Sequence, residues 1–149
     1  MAEKKYEKYI VTTPALHELA HHAAGEVRGF TYPYQVYVEP ALFPDVFKDI
    51  LRGTPVFIDV NWRNEIPHPN PISEPHSHPF DQFLFYIGSD WSNPQNLGAE
   101  LEIQLDDERY IIDKTAVIFI PKGVIHTARH LRVDRPFISL GVSFTSEYL

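Results

Sequence analysis

Two stretches decide the fold: Glu74-Pro75-His76-Ser77-His78-Pro79-Phe80-Asp81-Gln82-Phe83-Leu84-Phe85-Tyr86-Ile87-Gly88, and Ile120-Pro121-Lys122-Gly123-Val124-Ile125-His126-Thr127-Ala128-Arg129-His130. In an extended chain, side chains two apart share a face, so His76, His78, Phe80, Gln82, Leu84 and Tyr86 point one way. The neighbouring Asp81 points the other way. A strand begun after the Pro121-Lys122-Gly123 turn aims His126, Ala128 and His130 inward by the same rule. The imidazoles of His76, His78 and His126, joined by the side-chain oxygen of Gln82, then form an ordinary ligand set for a divalent transition metal.

The surrounding sequence is written in strands. Its 13 prolines fall mostly between short β-rich runs, a spacing that suits many short strands joined by turns. Val56, Ile58, Val60 and Trp62 alternate with Asp59 and Asn61. Ala99, Leu101, Ile103 and Leu105 alternate with Glu100, Glu102 and Gln104, and Ile138, Leu140, Val142 and Phe144 with Ser139, Gly141, Ser143 and Thr145. Each pattern predicts a half-buried strand. Residues 117–120 are apolar throughout and predict a strand buried on both faces. Residues 89–98 read as a loop, and Asp106-Asp107-Glu108 as a hairpin turn. In the N-terminal third, Thr12, Thr13 and Pro14 open a predicted short helix over 14–24, and 42–51 predicts a second. The core is expected to be all-β over residues 55–149, with residues 1–54 an arm containing short helices.

Composition narrows the function. A length of 149 residues suits one domain. Thirteen Lys and Arg against 20 Asp and Glu give a net charge of −7. That is the wrong sign for a phosphate backbone or an anionic lipid surface, so neither nucleic acid nor membrane is an expected partner. With no Cys, disulfides, thiolate nucleophiles and Cys-held metal centres are excluded, and a metal must be held by nitrogen and oxygen. No apolar run approaches the roughly 20 residues of a membrane span. The charged start Met-Ala-Glu-Lys-Lys-Tyr lacks the apolar region of a signal peptide, so a cytoplasmic protein is expected.

A second metal-like string, His17-Glu18-Leu19-Ala20-His21, puts two imidazoles on one face of the predicted helix with a Glu between them, as metalloproteases do. Its extended form calls for Gly and His where Ala24 and Val27 stand. We read it as a solvated helix face. Ser139 and Ser143 have no His/Asp constellation apart from the metal histidines, so serine hydrolysis finds no support.

Taken in order, the two opening stretches resemble the paired motifs of the cupin superfamily, approximately G-x5-H-x-H-x(3,4)-E-x6-G and G-x5-P-x-G-x2-H-x3-N. His76, His78 and Gly88 match the first; Pro121, Gly123 and His126 match the second. Gln82 stands at the usual Glu position, Thr115 at the opening Gly of the second motif, and His130 at its closing Asn. The resemblance covers about residues 55–145. It implies a double-stranded β-helix, the jelly-roll cupin barrel, with a homodimer as the expected assembly. It also implies a divalent metal (Mn, Fe, Ni, Co or Zn) held by His76, His78, Gln82 and His126.

A neutral Gln leaves the full +2 on such an ion, making it a stronger Lewis acid and disfavouring the trivalent state. The expected function is a metal-binding cupin enzyme acting on a small polar or anionic organic molecule by isomerase, lyase or decarboxylase chemistry. His130 and Tyr86 are its candidate acid–base groups, although His130 equally suits a structural place or one behind the metal ligands, and Tyr86 also suits core packing. A non-catalytic ligand-binding or sensor cupin, and a metal-dependent dioxygenase, are the alternatives. Arg63 is either a carboxylate clamp or a rim salt bridge. Glu74 is a candidate carboxylate partner for a histidine N–H, or a solvated loop charge. His68 has no spacing argument behind it.

Overall fold

The alternating runs are strands in the computed structural model, which describes residues 4–16, 28–30 and 35–145. In chain order they are β1 (Ala15–Leu16), β2 (Arg28–Phe30), β3 (Gln35–Val38), β4 (Phe57–His68), β5 (Gln82–Gly88), β6 (Asn96–Leu105), β7 (Glu108–Lys114), β8 (Ala116–Ile120), β9 (His126–Val133) and β10 (Phe137–Ser143). One sheet runs β1-β3-β4-β10-β5-β8, with β2 also on β4; the other runs β7-β6-β9. The last strand, β10, lies antiparallel between β4 and β5. Between the sheets Tyr86, Leu97, Ala99, Leu101, Ile103 and Phe137 form one buried cluster, where each large side chain contributes about 1.5–3 kcal/mol. Two antiparallel sheets packed around this cluster, with almost no helix among the described residues, make the expected jelly-roll barrel.

The sign of the alternation differs from strand to strand. On β6 the apolar set is inside, with Ala99, Leu101 and Ile103 buried. On β4 and β10 the polar set is inside: Asp59, Asn61, Ser139 and Ser143 are 0–7% exposed. Ile58, Val60, Ile138 and Leu140 lie on the half-buried outer face. A half-buried strand ordinarily turns its apolar face inward. A buried polar group without a hydrogen bond costs about 1–3 kcal/mol, so folding alone does not select such an interior. Outside, Val56 and Ile58 share an apolar cleft of about 430 Å³ with Val38, Phe43, Phe47 and Leu51.

Three expectations are corrected. Residues 117–120 are not buried on both faces. β8 is an edge strand, so Ile120 turns to the core while Val117 and Phe119 are 54% and 47% exposed. The helix over 14–24 does not begin where predicted. Ala15–Leu16 is extended and pairs with β3, because β3 offers a sheet edge and Ala15 packs on the buried Val36 and Phe57. The rest of that predicted helix, with His17, Glu18 and His21, lies outside the described residues. Within 42–51 the helical part is shorter, a π-helical turn over Val46–Ile50 closed by Leu51 N–H on the Val46 carbonyl at 2.7 Å. Among the described residues no helix is long and apolar enough to cross a membrane.

Gly88, which closes the first motif, has a steric role. A Cβ there would collide with the carbonyl oxygen of Asn96, where β6 begins, whereas Gly53 has open space around it. Gly88→Ala is expected to cost about 1–3 kcal/mol of unfolding free energy. Gly53→Ala should stay within about 0.5 kcal/mol. Urea denaturation of the two variants checks the difference.

Candidate metal centre

His76 and His126 come from different ends of the barrel sequence and are joined through their backbones. His76 N–H donates to the His126 carbonyl at 3.1 Å, and His126 N–H donates to the His76 carbonyl at 2.8 Å. Gly123 N–H reaches the His78 carbonyl at 2.8 Å. Gly123 has φ +82°, a left-handed conformation that glycine adopts without strain, which explains its place in the Pro-Lys-Gly turn. The Asp81 carboxylate accepts from Lys122 N–H at 2.9 Å, so this acid braces the turn from outside the histidine cluster. The two motifs are thus fastened to each other by main-chain bonds.

At this junction one ring nitrogen each from His76, His78 and His126 lies within 4.8 Å of the others. His76 Nδ1–H donates to the Glu74 carbonyl at 2.7 Å, and His126 Nδ1–H to the Val124 carbonyl at 2.9 Å. Each bond fixes the proton on Nδ1 and leaves Nε2 as the lone-pair nitrogen, the usual arrangement behind a metal-binding imidazole. Glu74 plays this part through its main chain, while its side chain is exposed. Burial pulls the His126 pKa below its ordinary value; the Val124 bond opposes this and His76 adds to it. The neutral imidazole is the form a metal requires. His78 is buried and stacks on Phe80 at 4.7 Å. Gln82, 3% exposed, donates Nε2–H to Ser143 Oγ at 3.0 Å, a bond that does not use its amide oxygen. Three imidazoles and an amide oxygen suit a divalent transition metal.

His76, Gln82 and His126 line a cavity of about 110 Å³ whose other polar wall residues include Asp59, Asn61, Arg63 and Ser139. Tyr86 also lines it, edge-on to Phe137 at 6.2 Å. Burial raises the Tyr86 pKa, with Arg63 opposing and Asp59 adding, so the hydroxyl keeps its proton at neutral pH. His130, 2% exposed, is not in the cavity wall. Its Nε2 accepts from Arg63 Nη1 at 2.8 Å, and its ring stacks on Phe137 at 6.0 Å. The Asn70 side chain holds both backbone polar groups of His130, at 2.7 and 2.9 Å. Burial and then the Arg63 charge lower the His130 pKa to about 2. His130, expected as an acid–base group, thus stands behind the cavity wall with its ring nitrogen on Arg63. Asn61 and Asn70 were not singled out from sequence, and Ser139 was weighed there only as a nucleophile. Asn61 and Ser139 carried a signal in the polar half of the β4 and β10 alternation, whereas Asn70 carried none.

The barrel has counterparts among solved structures. It matches a cupin-like protein from Thermotoga maritima over 94% of this chain and 87% of that one, with TM-score 0.50 and 18% identity. The chain has the cupin fold. A candidate ethanolamine utilization protein Q from Salmonella typhimurium matches over 89% and 80%, with TM-score 0.52 and 13% identity. An RmlC-like cupin from Shewanella frigidimarina matches over 62% and 69%, with TM-score 0.42 and 15% identity. No family model matches the chain, and no curated protein matches its sequence. At such identities the likeness concerns the fold, and the chemistry of this chain rests on its own residues.

The buried neutral His130 makes the stability of this barrel pH-dependent. Above pH ~6.5 the imidazole is neutral in both folded and unfolded chains. Below it the unfolded chain binds a proton that the folded one refuses until about pH 2. Stability is thus fully present above pH ~6.5 and declines as pH falls from there, by up to about 1.4 kcal/mol per unit. His130→Gln, which keeps an acceptor for Arg63, should flatten the decline by about that slope between roughly pH 6 and pH 4. Urea unfolding across that range measures it.

Proposed function

We propose that this cupin holds one divalent transition metal with His76, His78, His126 and Gln82, and is an enzyme acting on a small polar or anionic organic molecule. The observation carrying this reading is the convergence of three imidazole nitrogens within 4.8 Å, two of them from histidines that line the cavity. A divalent ion held there supplies a Lewis acid that polarises a substrate oxygen. Gln82 adds no negative charge, so the site retains a full +2. That favours an anionic substrate and isomerase, lyase or decarboxylase chemistry over redox cycling. Tyr86 holds a proton at its hydroxyl oxygen, ready to donate to substrate. Ile72, Leu84, Ile103 and Ile120, the apolar part of the wall, limit water beside the reacting atoms.

Metal analysis tests the reading. The protein is expected to bind one equivalent of Mn, Fe, Co, Ni or Zn. His78→Ala and His126→Ala should each weaken binding by about a hundredfold or more. Gln82→Glu, which adds a charged ligand, should bind at least about tenfold more tightly; unchanged affinity would contradict the role given to Gln82. Incubation of the loaded protein with sugar acids, keto acids and phenolics then separates turnover from binding alone.

A homodimer belongs to the same reading. Val117, Phe119 and Phe144 are 54%, 47% and 40% exposed, and Phe83 lies 5.0 Å from Phe119 and 5.9 Å from Phe144. An apolar patch of this kind supports self-association through the outer sheet face. Sedimentation velocity should find a dimer, converted to monomer by Phe119→Asp.

A further inference from the structure

Two residues on the inner face of β4 are placed to recognise a ligand. Asn61 is 5% exposed and lines the cavity, yet its Oδ1 is buried with no hydrogen-bond partner. An acceptor so placed is satisfied when a ligand brings a donor to it. Ser139, opposite Asn61 in the β10 register, adds a hydroxyl to the same wall.

Arg63 is two residues further along β4 and so on the same face. Its Nη1 donates to the His130 ring at 2.8 Å. That acceptor is uncharged, so it aims the guanidinium without cancelling its charge. Phe137 and Asn70 hold the imidazole from the ring side and the backbone side, which makes the support rigid. Asp59, also in the wall, offsets one positive charge. With Gln82 neutral, the charge of a bound divalent ion would still leave the cavity cationic.

We propose that the cavity takes a small hydroxycarboxylate, with Arg63 donating to the carboxylate and Asn61 Oδ1 accepting a hydrogen bond from the hydroxyl. This deepens the metal-enzyme reading and rests on it for overall affinity, but the two recognition residues lie outside the ligand set. A planar carboxylate matches the two-pronged guanidinium fork. The cavity of about 110 Å³ equals about four waters at ~30 Å³ each, room for a molecule of roughly four to six non-hydrogen atoms. Lactate has that size, and propionate differs from it only in lacking the hydroxyl.

Calorimetric titration of both lactate enantiomers, propionate and inorganic phosphate into cobalt-loaded and metal-free protein tests the proposal. The unmodified protein is expected to bind one lactate enantiomer at least about tenfold more tightly than propionate, the worth of one hydrogen bond. Asn61→Val should erase that preference while leaving propionate affinity within about threefold. Arg63→Met should weaken both acids at least about tenfold, with Arg63→Lys between. Cobalt affinity close to that of the unmodified protein identifies variants that are folded, and Asn61→Ser replaces Asn61→Val if the latter is not. Equal binding of lactate and propionate to the unmodified protein overturns the proposal. So does a preference that survives in Asn61→Val, or phosphate binding more tightly than lactate. If cobalt fails to bind while the metal-free protein keeps an Asn61-dependent lactate preference, the metal reading falls and the hydroxycarboxylate site stands. If cobalt binds and lactate shows no preference, the metal reading stands and the hydroxycarboxylate site falls.

Discussion

The paired main-chain hydrogen bonds between His76 and His126 set the geometry on which the candidate site depends. They join a loop before β5 to the first residue of β9, and Gly123 N–H on the His78 carbonyl adds a third tie. Closing the fifty-residue interval between those histidines costs about 3.5 kcal/mol in the length-dependent entropy alone, from (3/2)RT ln n. The burial of Leu101, Ile103 and Phe137 between the sheets, at about 1.5–3 kcal/mol for each such side chain, exceeds that cost. Sheet packing thus brings the histidines together, and the metal cluster takes its shape from the barrel.

The same barrel carries polar side chains on the inner faces of β4 and β10 that folding alone would not select. Asp59, Asn61 and Ser139 line the cavity, while apolar partners on the same strands face outward and are only half-buried. Apolar residues at those positions would remove the desolvation cost of buried polar groups. Retaining polar ones makes sense when something small and polar enters. His130 belongs to this group of residues. Kept neutral by burial, it spends its one acceptor nitrogen on Arg63 and gives a flexible cation a fixed direction.

Much of this was legible in the chain. Residues two apart around His76 and His78, the turn before His126, and the apolar faces of β5 and β6 encode the barrel and the histidine cluster. Period-two patterns carry no sign, however. In β4 and β10 they separated Asp59 and Asn61 from Ile58 and Val60 without telling which set lies inside. The apolar run 117–120 looked like buried core because sequence does not distinguish an edge strand with an exposed outer face from a central one. The carbonyls of Glu74 and Val124 that orient the rings are main-chain atoms and leave no mark on residue identity. The Arg63–His130 contact spans 67 residues and arises only once β4 and β9 face each other.

Anomalous diffraction from crystals soaked in zinc bears most directly on this account. It requires one strong peak about 2.0–2.1 Å from a ring nitrogen of each of His76, His78 and His126, with the Gln82 amide oxygen turned toward it. A barrel that takes up no zinc, or holds it elsewhere while these three rings hydrogen-bond only to protein, would contradict it.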